Sequence, residues 1–145
     1  MVEFVELVKL LQRSLSPTAF LVFVKLSSGD NHNYELRLGN AAWLGSSSYS
    51  SQVAKRSAAR QALEELKGLG DSKSIQEKLG LFPGPLGCGC DLIIALLSDA
   101  FKRLREERNK DNVVDIDLFA DTDTCKCIQI VLDKVCDDVS CEMRK

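Results

Sequence analysis

Hydrophobic residues recur with two periods in the first half of the chain, one typical of helices and one typical of strands. Residues 2–15 place Phe4, Val5, Val8, Leu11 and Leu15 on one side of a helix. Three runs that are alternating or rich in β-branched and aromatic residues follow, and they predict an antiparallel meander. These runs are residues 18–27, 34–38 and 41–47, separated by a polar turn over 28–33 and by Gly39-Asn40.

The meander is followed by a stretch that predicts a long helix ending near residue 67. Small and apolar residues recur every four positions, at Ala54, Ala58, Ala62 and Leu66. Such a narrow stripe allows a helix to lie close against a sheet. Ser50 or Ser51 stands where an N-cap belongs, and Gly68 and Gly70 follow the last turn. Residues 1–70 therefore predict an α+β domain of order α-β-β-β-α, with both helices on one face of the sheet.

The pattern changes after residue 70. Residues 71–90 predict a linker with one short helix, over 72–79, that Gly80 ends. Residues 91–107 predict an amphipathic helix, and residues 113–120 and 125–132 predict a β-hairpin. The segment 91–145 is thus a helix and β-hairpin extension. It is interpreted either as a truncated second copy of the first half or as two strands added to the first sheet.

Charge and hydropathy narrow the functional classes. The net charge is −2, and residues 1–70 carry 8 Lys and Arg against 6 Asp and Glu, while residues 71–145 carry 11 against 15. This balance is not that of a strongly basic nucleic-acid binder. No apolar run approaches the roughly 20 residues of a membrane span, and Glu3 and Glu6 interrupt the first segment as no secretory signal would. We expect an intracellular protein that does not enter a membrane.

Candidate chemistry is sparse. Cys88 and Cys90, and likewise Cys125 and Cys127, are spaced more tightly than the cysteines of structural zinc sites. In a strand, Cys125 and Cys127 would share a face as small apolar residues. The single histidine, His32, lies in a predicted loop with no catalytic partner. The remaining acidic candidates, which fit a solvated strand and turn, are Asp115, Asp117, Asp121 and Asp123. We expect no metal, no cofactor and no enzymatic activity.

A family resemblance rests on the predicted element order and on the last helix. The signature SxxxAKxxAAxxALxxL closes the α-β-β-β-α unit, and this sequence resembles the double-stranded RNA-binding domain over residues 1–70. The matching residues are Ser50, Ala54, Lys55, Ala58, Ala59, Ala62, Leu63 and Leu66. RNA-binding members carry a KKxAK cluster and a GPxH loop, which contact the two grooves of duplex RNA. Here only Lys55 of the cluster is present, and His32 lacks the glycine-proline pair.

The departures make the chain most similar to the third domain of Dicer-partner proteins, which does not bind RNA and pairs with proteins near its third strand. The resemblance implies an interface at Ala42, Trp43 and Leu44. We expect a protein-association module of the double-stranded-RNA-processing or RNA-silencing machinery, whose partner is a second copy, a ribonuclease or a silencing factor. The alternative is direct, sequence-independent binding of duplex RNA, which would be weak. It would use the basic residues Lys55, Arg56 and Arg60, with His32.

Overall fold

The first half of the chain folds in the predicted order of helices and strands. A computed structural model describes residues 2–28, 31–81, 90–108 and 115–135. It has the mixed α+β architecture expected from the sequence. The elements of the first half are α1 (Val2–Ser14), β1 (Leu21–Ser28), β2 (Asn31–Leu38), β3 (Ala41–Ser47) and α2 (Ser51–Leu69). The later elements are α3 (Ser72–Leu79), α4 (Cys90–Arg108), β4 (Asp115–Phe119) and α5 (Thr122–Val135).

The four strands form one antiparallel sheet in the order β3-β2-β1-β4. Phe23 on β1 lies opposite Leu36 on β2 and Asp117 on β4, and Leu36 lies opposite Trp43 on β3. Residues that lie opposite one another point to the same face of a sheet. This register therefore defines one face by Phe23, Leu36 and Trp43, and the other face by their neighbours along each strand.

Helices α1 and α2 cover the face that carries Phe23. The centres of the Phe4 ring of α1 and the Phe23 ring are 5.4 Å apart. The predicted stripe of α2 is fully buried, and Gly45 on β3 has no room for a Cβ because the backbone of α2 at Ala54 and Ala58 lies against it. The N-cap of α2 is Ser50, whose side chain accepts a hydrogen bond from the Val53 N–H at 3.2 Å. Small residues on both sides thus let this helix approach the sheet closely.

Helix α4 packs on the opposite face of the sheet, against β1, β2 and β4. Val22 and Val24 of β1 point to this side, and both are fully buried, as is Ile93 of α4. The central strand therefore has apolar side chains on both faces, which explains why residues 18–27 form a continuous apolar run rather than a strict alternation. The segment after residue 90 completes the core of the first half.

Two predictions about this later segment are wrong. Residues 125–132 belong to helix α5 rather than to the second strand of a hairpin, and β4 pairs with β1. Within its described residues, the segment thus adds one strand to the sheet, not two. Asp121 caps α5 by accepting a hydrogen bond from the Thr124 N–H at 2.7 Å. Thr124 and Ile128 are buried at the four-residue spacing of a helix. The N-cap and the buried face stabilise a helix here, although the β-branched composition of the segment favours a strand.

In the first half of the chain, two predictions also differ from the structure. Val5 was predicted to lie in the apolar stripe of α1 but is 42% exposed, and Leu7 is buried instead. The predicted loop over 28–33 is shorter than expected, because β1 ends at Ser28 and β2 begins at Asn31. The short helix α3 and its termination at Gly80, which has a φ of 67°, are as predicted. Residues 82–89, the rest of the predicted linker, lie outside the described residues.

Candidate interaction surfaces: the basic face of α2 and the edge of β3

Lys55, the one lysine that matches the signature, lies over the sheet. Its Nζ is 2.7 Å from Oδ2 of Asp117 on β4 and 4.9 Å from the centre of the Tyr34 ring on β2. The Lys55 side chain is only 17% exposed. A carboxylate and an aromatic face thus contact this ammonium group, and both interactions hold it against the sheet.

Two further cations of α2 share one carboxylate on α1. Arg56 Nε lies 3.6 Å from Glu3 Oε2, and Arg60 Nη2 lies 3.9 Å from Glu3 Oε1. A hydrogen bond from its own backbone N–H and the positive charge of Arg56 lower the pKa of Glu3, although partial desolvation opposes them. Glu3 is therefore ionised at neutral pH, and it neutralises part of the charge that a phosphate would contact.

The fourth cation of α2, Lys67, lies 3.4 Å from Glu6 of α1. All four basic residues of α2 thus have a carboxylate between 2.7 and 3.9 Å away within the described part of the chain. The partners come from α1, which packs beside α2, and from β4, the edge strand opposite β3. The basic face predicted from the sequence is consequently a row of intramolecular ion pairs.

His32, grouped with these cations in the RNA-binding hypothesis, is part of the sheet. It lies in β2 rather than in a loop, opposite Ser47 of β3, near the end of the hairpin. Arg56 and Arg60 lie on the side of α2 that faces α1. These two of the four residues of the RNA-binding hypothesis are brought together by Glu3.

The edge of the sheet at β3 is the second candidate surface. Among the described residues, no strand pairs with β3 on its outer side. Leu44 is 52% exposed, and Ala42 beside it is exposed on the same face, the face on which α4 packs. Residues 41–48 carry no charge. The opposite edge strand, β4, carries Asp115 and Asp117, and charged edge strands resist pairing with other chains.

A row of α2 side chains lies along this edge. Gln61 Nε2 donates a hydrogen bond to the backbone carbonyl of Leu44 at 3.0 Å, and the Trp43 indole N–H donates to Glu65 Oε2 at 2.6 Å. Glu65 also lies 3.3 Å from Lys78 of α3. The sequence analysis missed Gln61 and Glu65. Their four-residue spacing was a usable signal, because it puts both on one side of α2.

Trp43 does not project from this edge. Its side chain points to the α2 face, it is 9% exposed, and its one polar atom is bonded to Glu65. An indole in this position contributes to the core of the chain. Any interface at β3 would therefore use Leu44 and Ala42 rather than the tryptophan named from the sequence.

The residues considered for metal binding or catalysis have other surroundings. Cys125 and Cys127 lie on helix α5, where two positions correspond to about 200° of rotation, so they do not share a face as predicted. Asp117 pairs with Lys55, and Asp121 caps α5. Within the described ranges, no three His, Cys, Asp or Glu side chains are grouped as metal ligands would be. Cys88 lies outside these ranges, and Cys90 begins α4.

No family model, no curated protein and no solved structure matches this chain. The resemblance to the double-stranded RNA-binding domain therefore stays a prediction that rests on the signature and the element order. Among the described helices, none is both long and apolar enough to cross a bilayer.

Proposed function

We propose that the chain is a non-catalytic module for protein–protein association, and that it works in double-stranded-RNA processing or RNA silencing. Its partner in this proposal is a second copy of the chain, a ribonuclease or a silencing factor. The setting in RNA processing comes from the sequence signature alone. The association itself is supported by one observation, the uncharged outer edge of β3 with a half-exposed leucine.

An edge strand of this kind favours pairing with another strand. Proteins protect exposed edge strands with charged residues, prolines, bulges or covering segments. β3 contains no charged residue and no proline. A partner strand would gain main-chain hydrogen bonds, and Leu44 would supply apolar contact next to them. In the free chain the Gln61 amide occupies the Leu44 carbonyl, so a partner strand would have to displace this side chain.

The alternative, duplex RNA binding through α2, is less favoured by the electrostatics. Sequence-independent affinity for nucleic acid comes from cations that neutralise phosphates and release counterions. Each cation of α2 already has an intramolecular carboxylate, so a phosphate would have to displace it. The ion pairs at Arg56, Arg60 and Lys67 are partly exposed and weak, which makes this a reduction in RNA affinity rather than a block.

The test is the mass of the full chain in solution, measured by light scattering coupled to gel filtration over a range of protein concentrations. We expect a concentration-dependent dimer that Leu44→Arg weakens. Ile130→Arg is the matched control, because Ile130 on α5 is 57% exposed and Leu44 is 52% exposed. Circular dichroism of both variants would establish that they are folded.

A parallel titration with duplex RNA separates the two functions. A chain that stays monomeric and binds duplex RNA tightly, with affinity lost in Lys55→Ala, would replace the association proposal by the alternative. If the chain is a monomer and binds no RNA, the association proposal would require a different protein as the partner. Adding a candidate ribonuclease to the Leu44→Arg and Ile130→Arg chains would test this.

A further inference from the structure

A second charged surface lies on α1, away from the β3 edge. It is an open groove of about 780 Å³ that runs across α1 between the end of α2 and the start of α5. Its lining includes the cations Lys9, Arg13 and Lys67, with Leu10 and Pro17 as apolar walls. We name it the α1 groove.

The charges of the α1 groove are not balanced in the way those of α2 are. Lys67 is paired with Glu6, and the two carboxylate oxygens of Asp121 accept hydrogen bonds from the Thr124 N–H and the Gln12 amide. Lys9 and Arg13 are exposed, and neither has a carboxylate within ion-pair distance among the described residues. Two cations of the groove thus remain available to an anionic ligand.

An apolar cavity of about 200 Å³ adjoins these cations. It is lined by Val5, Val8 and Phe119, and it shares Lys9, Gln12 and Asp121 with the α1 groove. Val5, which the sequence placed in the core, is 42% exposed here. The combined surface offers an apolar contact at Val5 and positive charge at Lys9 and Arg13. Its two carboxylates, Glu6 and Asp121, already have intramolecular partners.

The spacing along α1 indicates what would fit. Val5, Lys9 and Arg13 follow one another at four-residue intervals, so they lie on one side of the helix about 6 Å apart. In an extended peptide, alternate side chains point to the same side and are about 6.6–6.8 Å apart. A peptide with one apolar residue followed by acidic residues at the next two alternate positions would match this row.

We infer that the α1 groove binds an extended acidic peptide segment of the pattern apolar-x-acidic-x-acidic, with its carboxylates at Lys9 and Arg13 and its apolar side chain at Val5. Duplex RNA fits the same row less well. Two available cations neutralise only about two phosphates, whereas strong sequence-independent binding uses roughly 6–10 phosphate contacts. A phosphate backbone also has no aliphatic side chain to cover Val5.

The inference can be tested with a synthetic peptide, acetyl-LSDSD-amide, added to the isotopically labelled full chain and followed by heteronuclear NMR at low salt. We expect saturable shifts of the backbone amides over residues 5–13. The peptide LSNSN, which lacks only the charges, should bind at least about fivefold more weakly, and SSDSD, which lacks the apolar residue, about two- to fivefold more weakly.

The protein variants give the matched comparison. Lys9→Ala with Arg13→Ala should abolish saturable binding of LSDSD. Lys73→Ala with Lys102→Ala removes two exposed lysines from α3 and α4, and should leave binding within about twofold of the wild type. Both double variants remove two positive charges from the chain. A difference in peptide binding between them therefore reflects the α1 groove and not the net charge.

Three results would overturn the inference. They are the absence of saturable binding to the folded wild-type chain, an equal loss of binding in the two double variants, and shifts that map away from the residues lining the α1 groove and the adjoining cavity. Duplex RNA that competes with the peptide and loses binding in the Lys9 and Arg13 variant would assign the groove to nucleic acid instead. The oligomeric state of the chain does not enter this test, so its failure and that of the proposed function are separate.

Discussion

Lys55 on α2 and Asp117 on β4 are 62 positions apart in the sequence, and their charged groups lie 2.7 Å apart in the structure. The pair connects the helix that carries the family signature to a strand that was expected in the C-terminal hairpin extension. It also places the Lys55 ammonium group over the Tyr34 ring. The lysine that would contact RNA in the resembled family is therefore part of the contact between the two halves of this chain.

Removing this ion pair should have a small effect on stability. We expect Asp117→Asn to lower the free energy of unfolding by about 0.2–1 kcal/mol, because the Asp117 side chain is 40% exposed and solvent screens the attraction. Urea denaturation of the single variants and of the double variant with Lys55→Met gives the coupling energy. Glu64→Gln, an exposed carboxylate on α2, is the control. A coupling energy of zero would show that the pair contributes nothing.

Two glycine substitutions should have opposite effects. A Cβ at Gly45 would lie 2.7 Å from the backbone nitrogen of Ala58 and closer still to the Ala54 carbonyl, so Gly45→Ala must push α2 from the sheet. We expect a loss of about 1–3 kcal/mol or more. Gly68, in the last turns of α2, has nothing within 4 Å of the same position, and Gly68→Ala should stabilise by about 0.5–1 kcal/mol.

Thermal unfolding of these two variants beside the wild type measures the contrast. Ala58→Leu gives an independent check, because Ala58 is fully buried in the same contact and a larger side chain there should cost about 1–3 kcal/mol. An unchanged melting temperature for both Gly45→Ala and Ala58→Leu would show that this contact is not part of the core.

The cap of α5 should make stability depend on pH. The backbone N–H of Thr124, the Thr124 side chain and Gln12 lower the pKa of Asp121 from its ordinary value of 3.8, although desolvation opposes them. A carboxyl group whose pKa is lowered by folding stabilises the fold above its unfolded pKa, and this contribution is lost as the pH falls through the folded pKa. Asp121→Ala should therefore cost about 0.5–2 kcal/mol at neutral pH.

The cost of Asp121→Ala should shrink as the pH falls below 3.8 toward the lowered pKa, and urea denaturation over this range measures it. Asp121→Asn keeps a good capping group that does not titrate in this range. The free energy of unfolding of Asp121→Asn, relative to that of the wild type, should therefore rise as the pH falls over the same interval. A cost for Asp121→Ala that is independent of pH would contradict the role of the ionised cap.

Gln61 should modulate pairing at the β3 edge, if the proposed association occurs there. Its amide occupies the Leu44 carbonyl, which is an acceptor on the edge strand. We expect Gln61→Ala to strengthen self-association about two- to tenfold, because a partner strand would no longer compete with the side chain. Sedimentation equilibrium measures the change, with Glu64→Ala as a control on the same helix. Weaker association in Gln61→Ala would mean that the glutamine contacts the partner instead.

Duplex RNA binding should be weak and governed by the ion pairs. We expect a dissociation constant above about 1 μM at physiological salt, because the cations of α2 already contact carboxylates. Mobility-shift titrations at about 50 and 200 mM salt would give both the affinity and its salt dependence. Tight binding that Arg60→Ala abolishes would contradict this expectation.

Local sequence patterns were sufficient where one segment contains the determining residues. The stripe Ala54, Ala58 and Ala62 was predicted to be a buried helix face, and it is fully buried. Ser50 caps this helix as its position suggested. The three strands of the meander also follow their predicted order, because consecutive strands joined by short turns pair with one another.

The tertiary structure decided what depends on distant residues. Residues 125–132 combine β-branched side chains with helical spacing, and a short apolar run of this kind does not distinguish the two structures until it packs. Val5 satisfied the period of α1 yet lies at the margin of the helix contact with the sheet, where the apolar cavity beside the α1 groove opens. Which residues of an amphipathic stripe are buried depends on how far the neighbouring elements extend.

The order of α1, the meander and α2 could be predicted from the amino-acid sequence, since periodicity, caps and turns act over a few residues. The pairing of β4 with β1 and the position of α4 on the second face of the sheet depend on long-range packing. The same packing brings Glu3 and Asp117 to the basic residues of α2, whose charge they partly neutralise. Ion pairs form between side chains that packing brings within a few ångströms, and separation along the chain carries no information about that distance.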